Sequence, residues 1–234
     1  MKLSQPIYQL KRRAKLLART DTIPLHQALD RIAQEEGFSA WSLLSSRHDM
    51  SAPSMLSQLS DGELLLIAAR PGHGKTLLGL QLLLDAVREA RSATFFTLEY
   101  TKEQTVKRIH ALPEGEALGD RIEIVTSDEI SADYIIRHLA DAPKGTVAVI
   151  DYLQILDQQR SKPGLPEQVS ALRTFARNTG TVLAFISQID RSFETGGKNL
   201  PDLRDVRLPN QLDLGLFTKA CFLHNRELRL QHVA

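Results

Sequence analysis

At 234 residues the chain has room for one sizeable core and a small appendage. Its 42% hydrophobic and 24% charged residues exclude a chain too polar to bury a core. A formal net charge of +1 excludes a global field for polyanions, and the single cysteine, Cys221, excludes an intramolecular disulfide.

The opening "MKLSQPIYQLKRR" lacks the continuous apolar stretch of a secretory signal. No segment approaches the roughly 18 uninterrupted apolar residues of a membrane span. A cytoplasmic protein with no membrane partner is expected.

The chain divides into a small helical basic module (1–48), a linker (49–61) and an α/β domain (62–234). In the module, Lys2, Lys11, Arg12, Arg13, Lys15 and Arg19 precede the first acid, Asp21. Ile7, Leu10, Ala14 and Leu17 recur at helical spacing, which leaves the basic residues to the other face. That face reads either as a DNA or partner contact or as the solvated side of a helical cap. A second helix is predicted from Pro24 to Glu36, with Leu25, Ala28, Leu29 and Ile32 on one stripe and Gly37 as its stop. Phe38 and Trp41 are expected to pack back on both helices.

From Glu63 onward, apolar runs alternate with amphipathic stretches. The runs at 63–69, 92–99, 121–125, 146–151 and 181–187 predict strands, and 75–90, 102–111, 131–140 and 165–178 predict helices. Continuous apolar strands alternating with helices imply a mainly parallel sheet covered on both faces. In such sheets ligands sit at the carboxyl ends of the strands.

Three of those ends carry chemistry. After the first run, "AARPGHGKT" nearly spells G-x-x-x-x-G-K-[ST], with Ala69 at the first glycine. Gly72 and Gly74 let the backbone present N–H groups to phosphate; Lys75 supplies a cation and Thr76 a hydroxyl for Mg²⁺. Alanine is tolerable at 69 if that position needs no positive φ. The second run ends at Glu99, placed to polarise an attacking water. The fourth ends at Asp151, the expected metal-side carboxylate of a P-loop nucleotidase. Singly, Glu99 and Asp151 would read as surface or loop-capping acids; with Lys75 and Thr76 they form a set. His26, His48, His73, His110, His138, His224 and His232 show no metal spacing.

Taken together, "AARPGHGKT", "FFTLE", "AVIDYLQIL" and "AFISQIDRS" resemble, in order and spacing, the motor domain of DnaB-type replicative helicases, which are RecA-like P-loop ATPases. The likeness spans roughly residues 60–225. It implies a RecA-like fold and an ATP-dependent, DNA helicase-like activity. It also implies ATP and Mg²⁺ as cofactors, single-stranded DNA as partner, and assembly with other copies, in a ring. Arg70, Pro71, Gly72, His73, Gly74, Lys75 and Thr76 would hold the nucleotide, with Thr76 and Asp151 on Mg²⁺. Lys75 and Glu99 would be catalytic. Gln188 would sense the γ-phosphate and couple it to DNA, and Arg70 would touch nucleotide or a neighbouring subunit. The stretch Ile189–Asn210 would be a mobile loop by virtue of Gly196, Gly197, Pro201 and Pro209. Its Arg191, Lys198, Arg204 and Arg207 would meet phosphates, or the loop would be a solvated insertion.

Departures from the family pattern are also legible. Residues 1 to about 60 resemble neither the primase-binding domain nor the linker helix of those helicases, but rather short helical segments that open some small bacterial proteins. The family's Lys-x-Arg finger is not evident beyond residue 224; Arg226 and Arg229 are the substitutes at hand, and weak hydrolysis is expected. Val206 and Arg207 replace a small Ser-Gly pair. The alternative reading is a nucleotide-gated DNA- or protein-binding module that unwinds nothing.

Overall fold

The computed structural model describes residues 4–5, 7–41, 54–157, 162–195, 198–208, 212–225 and 227–233. Gly196, Gly197, Pro209, Asn210 and Arg226, and residues 49–53 of the stretch read as a linker, lie outside the described residues. The chain separates into two units, Met1–Ser54 and Met55–Ala234.

In the first unit, α1 (Ile7–Thr20) and α2 (Leu25–Glu35) form an antiparallel pair joined by a short turn. Leu10, Ala14, Ala28, Ile32 and Ala33 are buried between them, and Leu17, Leu29, Phe38 and Trp41 pack around that small core. Leu25, expected on the buried stripe, is 44% exposed because it opens the helix, ahead of the turn that meets α1. Gly37 follows α2 with φ of 84°, the left-handed stop.

The second unit begins earlier than its first strand. A 3-10 turn, Leu56–Gln58, buries Leu56 and Leu59 in the larger core, so part of the expected linker belongs to this unit. The Nζ of Lys219 fixes the turn, donating to the Gln58 carbonyl at 2.6 Å and to Glu63 at 2.7 Å.

The sheet has seven strands: β1 (Leu64–Ala69), β2 (Ala93–Thr97), β3 (Ile122–Val125), β4 (Val147–Asp151), β5 (Val182–Gln188), β6 (Lys219–His224) and β7 (Glu227–His232). Their spatial order is β3-β2-β4-β5-β1-β6-β7. The first six run parallel and β7 returns antiparallel along β6. The connecting helices are α3 (Lys75–Arg88), α4 (Lys102–His110), the short α5 (Gly115–Leu118), α6 (Ala132–His138) and α7 (Leu165–Thr179).

Burial explains why the strand runs read as uniformly apolar. Every residue of β1, β2 and β4 is buried, because one side packs against α3 and the other against α6 and α7. Cys221 is fully buried in β6, and burial pushes its thiol up to about 12. Strand β7, which alternation did not announce, is half-exposed and closes the sheet edge. No helix among the described residues is long and apolar enough to cross a membrane.

Candidate nucleotide site

Four neighbouring strands, β2, β4, β5 and β1, end on one side of the sheet, and their registers place the candidate residues. Asp151 at the end of β4 pairs with Thr97 of β2 and with Ile186 of β5. Glu99 therefore lies two residues beyond Asp151's partner on one side, and Gln188 two residues beyond its partner on the other. Gln188 in turn pairs with Ala69, the last residue of β1, from which the glycine loop departs. Residues distant in the sequence thus converge through ladder pairing alone.

The loop itself runs from Arg70 to Gly74 and enters α3 at Lys75. Gly72 and Gly74 have φ of 80° and 87°, while a Cβ built on either meets nothing within 4 Å. These positions need glycine for backbone conformation and not for room. Ala69 is an ordinary extended strand residue, paired with Gln188 and Leu223 and fully buried. Its position requires no positive φ, so the departure from the glycine pattern has no conformational cost. The α3 N-terminus, preceded by a glycine in place of a side-chain cap, directs free N–H groups at the loop's hollow.

Lys75 and Thr76 are both buried at the first turn of α3. Thr76 Oγ1 donates to Asp151 Oδ2 at 2.9 Å. The other carboxylate oxygen, Oδ1, is buried with no hydrogen-bond partner. Burial, first, and then the nearby charge of Glu99 push Asp151 up to about 6, against the opposing pull of the Thr76 hydrogen bond and the charges of Lys75 and Arg108. A buried carboxylate with an idle oxygen beside a threonine hydroxyl fits a hard divalent cation with oxygen ligands. Among the described residues no group of three or more His, Cys, Asp or Glu side chains could hold a metal ion unaided. Mg²⁺ takes one or two protein oxygens and completes its shell with phosphate and water. Glu99 is exposed at the rim, its N–H donating to Thr97 Oγ1 at 3.1 Å.

Two loop residues face elsewhere. Arg70 donates to the Ile189 carbonyl at 3.0 Å and pairs with Glu194 at 2.9 Å. It ties the glycine loop to the segment after β5 and does not point into the hollow. His73 stacks on His224 with ring centroids 4.9 Å apart, Phe193 meets His224 edge-on, and the Asn225 N–H donates to His73 Nδ1. Because β6 runs parallel to β1, its tip arrives beside the loop, a pairing that spacing in the sequence could not disclose. Pro71 is exposed on the loop.

The described part of the segment after β5 is bonded to the strand end and within itself. Ile189 bridges Val206, the Arg207 N–H donates to the Gln188 carbonyl at 2.8 Å, and Lys198 pairs with both Asp202 and Asp205. Lys198 is therefore spent within the segment, whereas Arg191 and Arg207 join Arg70 and Asp190 around a cavity of about 470 Å³. Arg204 is exposed. Arg229 on β7 turns inward, donating to the Pro201 carbonyl at 2.6 Å with its guanidinium 5.8 Å over Phe222. One residue escaped the sequence reading: Arg108 on α4 lies over Tyr100, 4.1 Å from the ring centroid, and its charge reaches Asp151. The only signal was an arginine following Glu99 at a distance that returns one helix to the same strand tip.

Residues 49–118 match the family described as DnaB-like helicase C terminal domain. A replicative DNA helicase DnaB of Helicobacter pylori is 27% identical over 183 residues, covering 64% of this chain and 38% of that protein. A probable plasmid replicative DNA helicase of Chlamydia trachomatis is 26% identical over 186 residues, covering 66% and 41%. Among solved structures, an isolated ATPase domain superposes with a TM-score of 0.60 at 21% identity over 79% of this chain and 82% of that one. A DnaB-like replicative helicase, solved in a study of its interactions with primase, gives 0.59 at 19% identity, covering 97% and 73%. The larger unit shares the fold of these structures, and part of its sequence is similar to the DnaB-like helicase C terminal domain. The chain spans about two-fifths of the length of the curated relatives it matches.

Proposed function

We propose that the chain is a DNA-coupled ATPase of the DnaB type, with Glu99, Lys75, Thr76, Asp151 and Gln188 as its working residues. The observation that carries this reading is the buried Thr76–Asp151 hydrogen bond with an idle carboxylate oxygen beside it, between Lys75 and the exposed Glu99. The reading is supported further by the matched relatives, whose printed names are those of replicative DNA helicases.

The chemistry is attack of water on the γ-phosphorus of ATP. The N–H groups of Gly72 to Thr76 and the Lys75 ammonium hold the phosphates and stabilise the charge that gathers on the γ-oxygens. Glu99, at the rim and free to approach the water, orients it and accepts its proton. Mg²⁺ held by Thr76 and Asp151 would neutralise charge on the β- and γ-phosphates when bound. Gln188, at the end of β5 between β1 and β4, registers the γ-phosphate in this reading. Its carbonyl accepts from Arg207, so a shift at the strand tip passes directly to the arginine-bearing segment. Single-stranded DNA as the partner, assembly with other copies in a ring, and a helical module (1–48) joined by a linker to the ATPase domain belong to the same proposal.

A nucleotide-gated binding module is the second reading. It is favoured by Arg229, which is engaged inside its own chain and is not presented to a neighbour's nucleotide. Turnover of ATP with and without a single-stranded 30-mer separates the two, comparing wild type with Glu99→Gln and Lys75→Ala. A motor shows DNA-stimulated turnover that Glu99→Gln lowers by roughly 10²- to 10⁴-fold and Lys75→Ala abolishes. Absence of turnover, with ATP binding that Lys75→Ala removes and Glu99→Gln spares, leaves the module.

A further inference from the structure

The cations of α1 are sorted by what they touch. At one edge of the helix, Lys11 lies over the Trp41 ring, 5.9 Å from its centroid. At the other, Arg13 pairs with Glu35 at 2.7 Å. Both edges are thereby committed to holding α1 against α2. Between them, at helical spacing, Arg12, Lys15 and Arg19 occupy the face opposite the buried Leu10 and Ala14, and all three are exposed.

The acids of this unit are drawn away from that face. Residues 4–41 contain six Lys or Arg and four Asp or Glu. Asp21 pairs with Arg31, Asp30 accepts the Trp41 N–H, Glu35 takes Arg13, and Glu36 accepts from Ser4. The helix α1 itself contains no acidic residue. Among the described residues the result is a face of positive charge with no acid paired to it. A solvated face of a small helix pair would ordinarily carry charges of both signs.

We propose that this outward face of α1 is a nucleic-acid docking surface that binds backbone phosphates through Arg12, Lys15 and Arg19. At 1.5 Å per residue, the three charges span roughly 10 Å of helix axis, the reach of about four successive phosphates spaced about 3.4 Å along the axis of one strand. An acidic protein partner is the poorer fit. Protein interfaces centre on aromatic or other apolar anchors, and among the described side chains beside this face the aromatic one, Trp41, lies half-buried under Lys11. Among the described side chains of the face Leu16, 56% exposed, is the one apolar residue and forms no anchor cluster. Contacts of this kind are sequence-independent and do not need ATP, so they would keep the chain on its track irrespective of the state of the nucleotide site.

The test is fluorescence anisotropy of the full chain, without nucleotide, on a labelled single-stranded 30-mer and on a duplex of equal length, titrated across salt. Arg12→Gln/Lys15→Gln/Arg19→Gln removes the charges while keeping good helix formers. It is expected to weaken binding tenfold or more at about 50 mM salt. The slope of log K against log salt should flatten by about 2 on the single strand and about 3 on the duplex. Unchanged affinity and slope would overturn the proposal. So would displacement of DNA from the wild type by poly-glutamate at equal charge, which would mark an acidic polypeptide as the partner. If far-UV dichroism shows that the triple variant has lost helix, the single changes are read instead. Each should flatten the slope by about 0.7 to 0.9, and no change in any of them overturns the proposal. ATP turnover without DNA, measured on the same variants, should match wild type. Loss of DNA binding there is thus distinguishable from failure of the ATPase reading, which the Lys75→Ala comparison decides.

Discussion

Asp151 is wholly buried, one oxygen bonded to Thr76 and the other to nothing, with Glu99 close enough to oppose its charge. Its pKa rises from 3.8 to about 6 on folding. In the unfolded chain it ionises near its ordinary value, so between about pH 4 and pH 6 the native state holds the extra proton. Stability from this group is therefore lost as pH rises through that window, by ~3 kcal/mol once both states are ionised. Asp151→Asn removes that burden. In the absence of nucleotide it should raise the melting temperature at pH 7.5 by several degrees, with the gain shrinking towards pH 4, while abolishing Mg²⁺-dependent ATP binding. A variant less stable than wild type at pH 7.5 would show that the buried charge is compensated some other way. Lys75, Thr76, Glu99 and Asp151 were readable in the sequence because each ends or follows a contiguous apolar run. Arg70 with Glu194, and His73 with His224, were not, because those partners meet only when β1, β5 and β6 align.

Among the elements, α3 carries the most geometry. It starts the phosphate loop's hydrogen-bond field and must lie close to the sheet for Thr76 to reach Asp151. Gly79, one turn in, sets that approach: a Cβ there would stand 3.0 Å from both Val149 Cγ1 on β4 and Ile186 Cδ1 on β5. Gly79→Val should push the helix outward, cost about 1 to 3 kcal/mol in chemical denaturation, and weaken ATP binding in parallel. Loss of stability with ATP affinity intact would mean that the loop keeps its place independently of the helix. Helices and central strands were legible because a strand buried on both faces must be apolar throughout. Strand β7 escaped because an exposed edge strand such as "ELRLQH" alternates apolar and polar residues over too short a run to stand out. Spatial order was hidden for another reason: continuous apolar runs say that strands are central but not which ones are neighbours.

At the scale of the whole molecule the two units rest on very different cores. In the larger one, bulky side chains from the six parallel strands and the flanking helices are buried in two continuous layers. The smaller one closes around Leu10, Ile32 and three alanines, with Leu17, Leu29, Phe38 and Trp41 only partly covered. A unit of this size, Met1–Ser54, buries only about 60% of the surface its unfolded chain exposes and is correspondingly marginal. Alanine adds little, since each buried methylene contributes only about 0.8 kcal/mol. Opening of α1 and α2 should therefore be local and cheap, whereas exposing the amides of β1, β4 and β5 requires the whole sheet to open. Native-state hydrogen exchange on the intact chain is expected to show protection in β4 and β5 at least a thousandfold above that in α1, the difference expected if sheet opening costs ~4 kcal/mol more. Equal protection in α1 and the sheet would require a single cooperative unit. Adding a DNA oligonucleotide should then raise protection selectively in α1 if its outward face binds phosphate, because a ligand that binds only the folded helix pair shifts its opening by mass action.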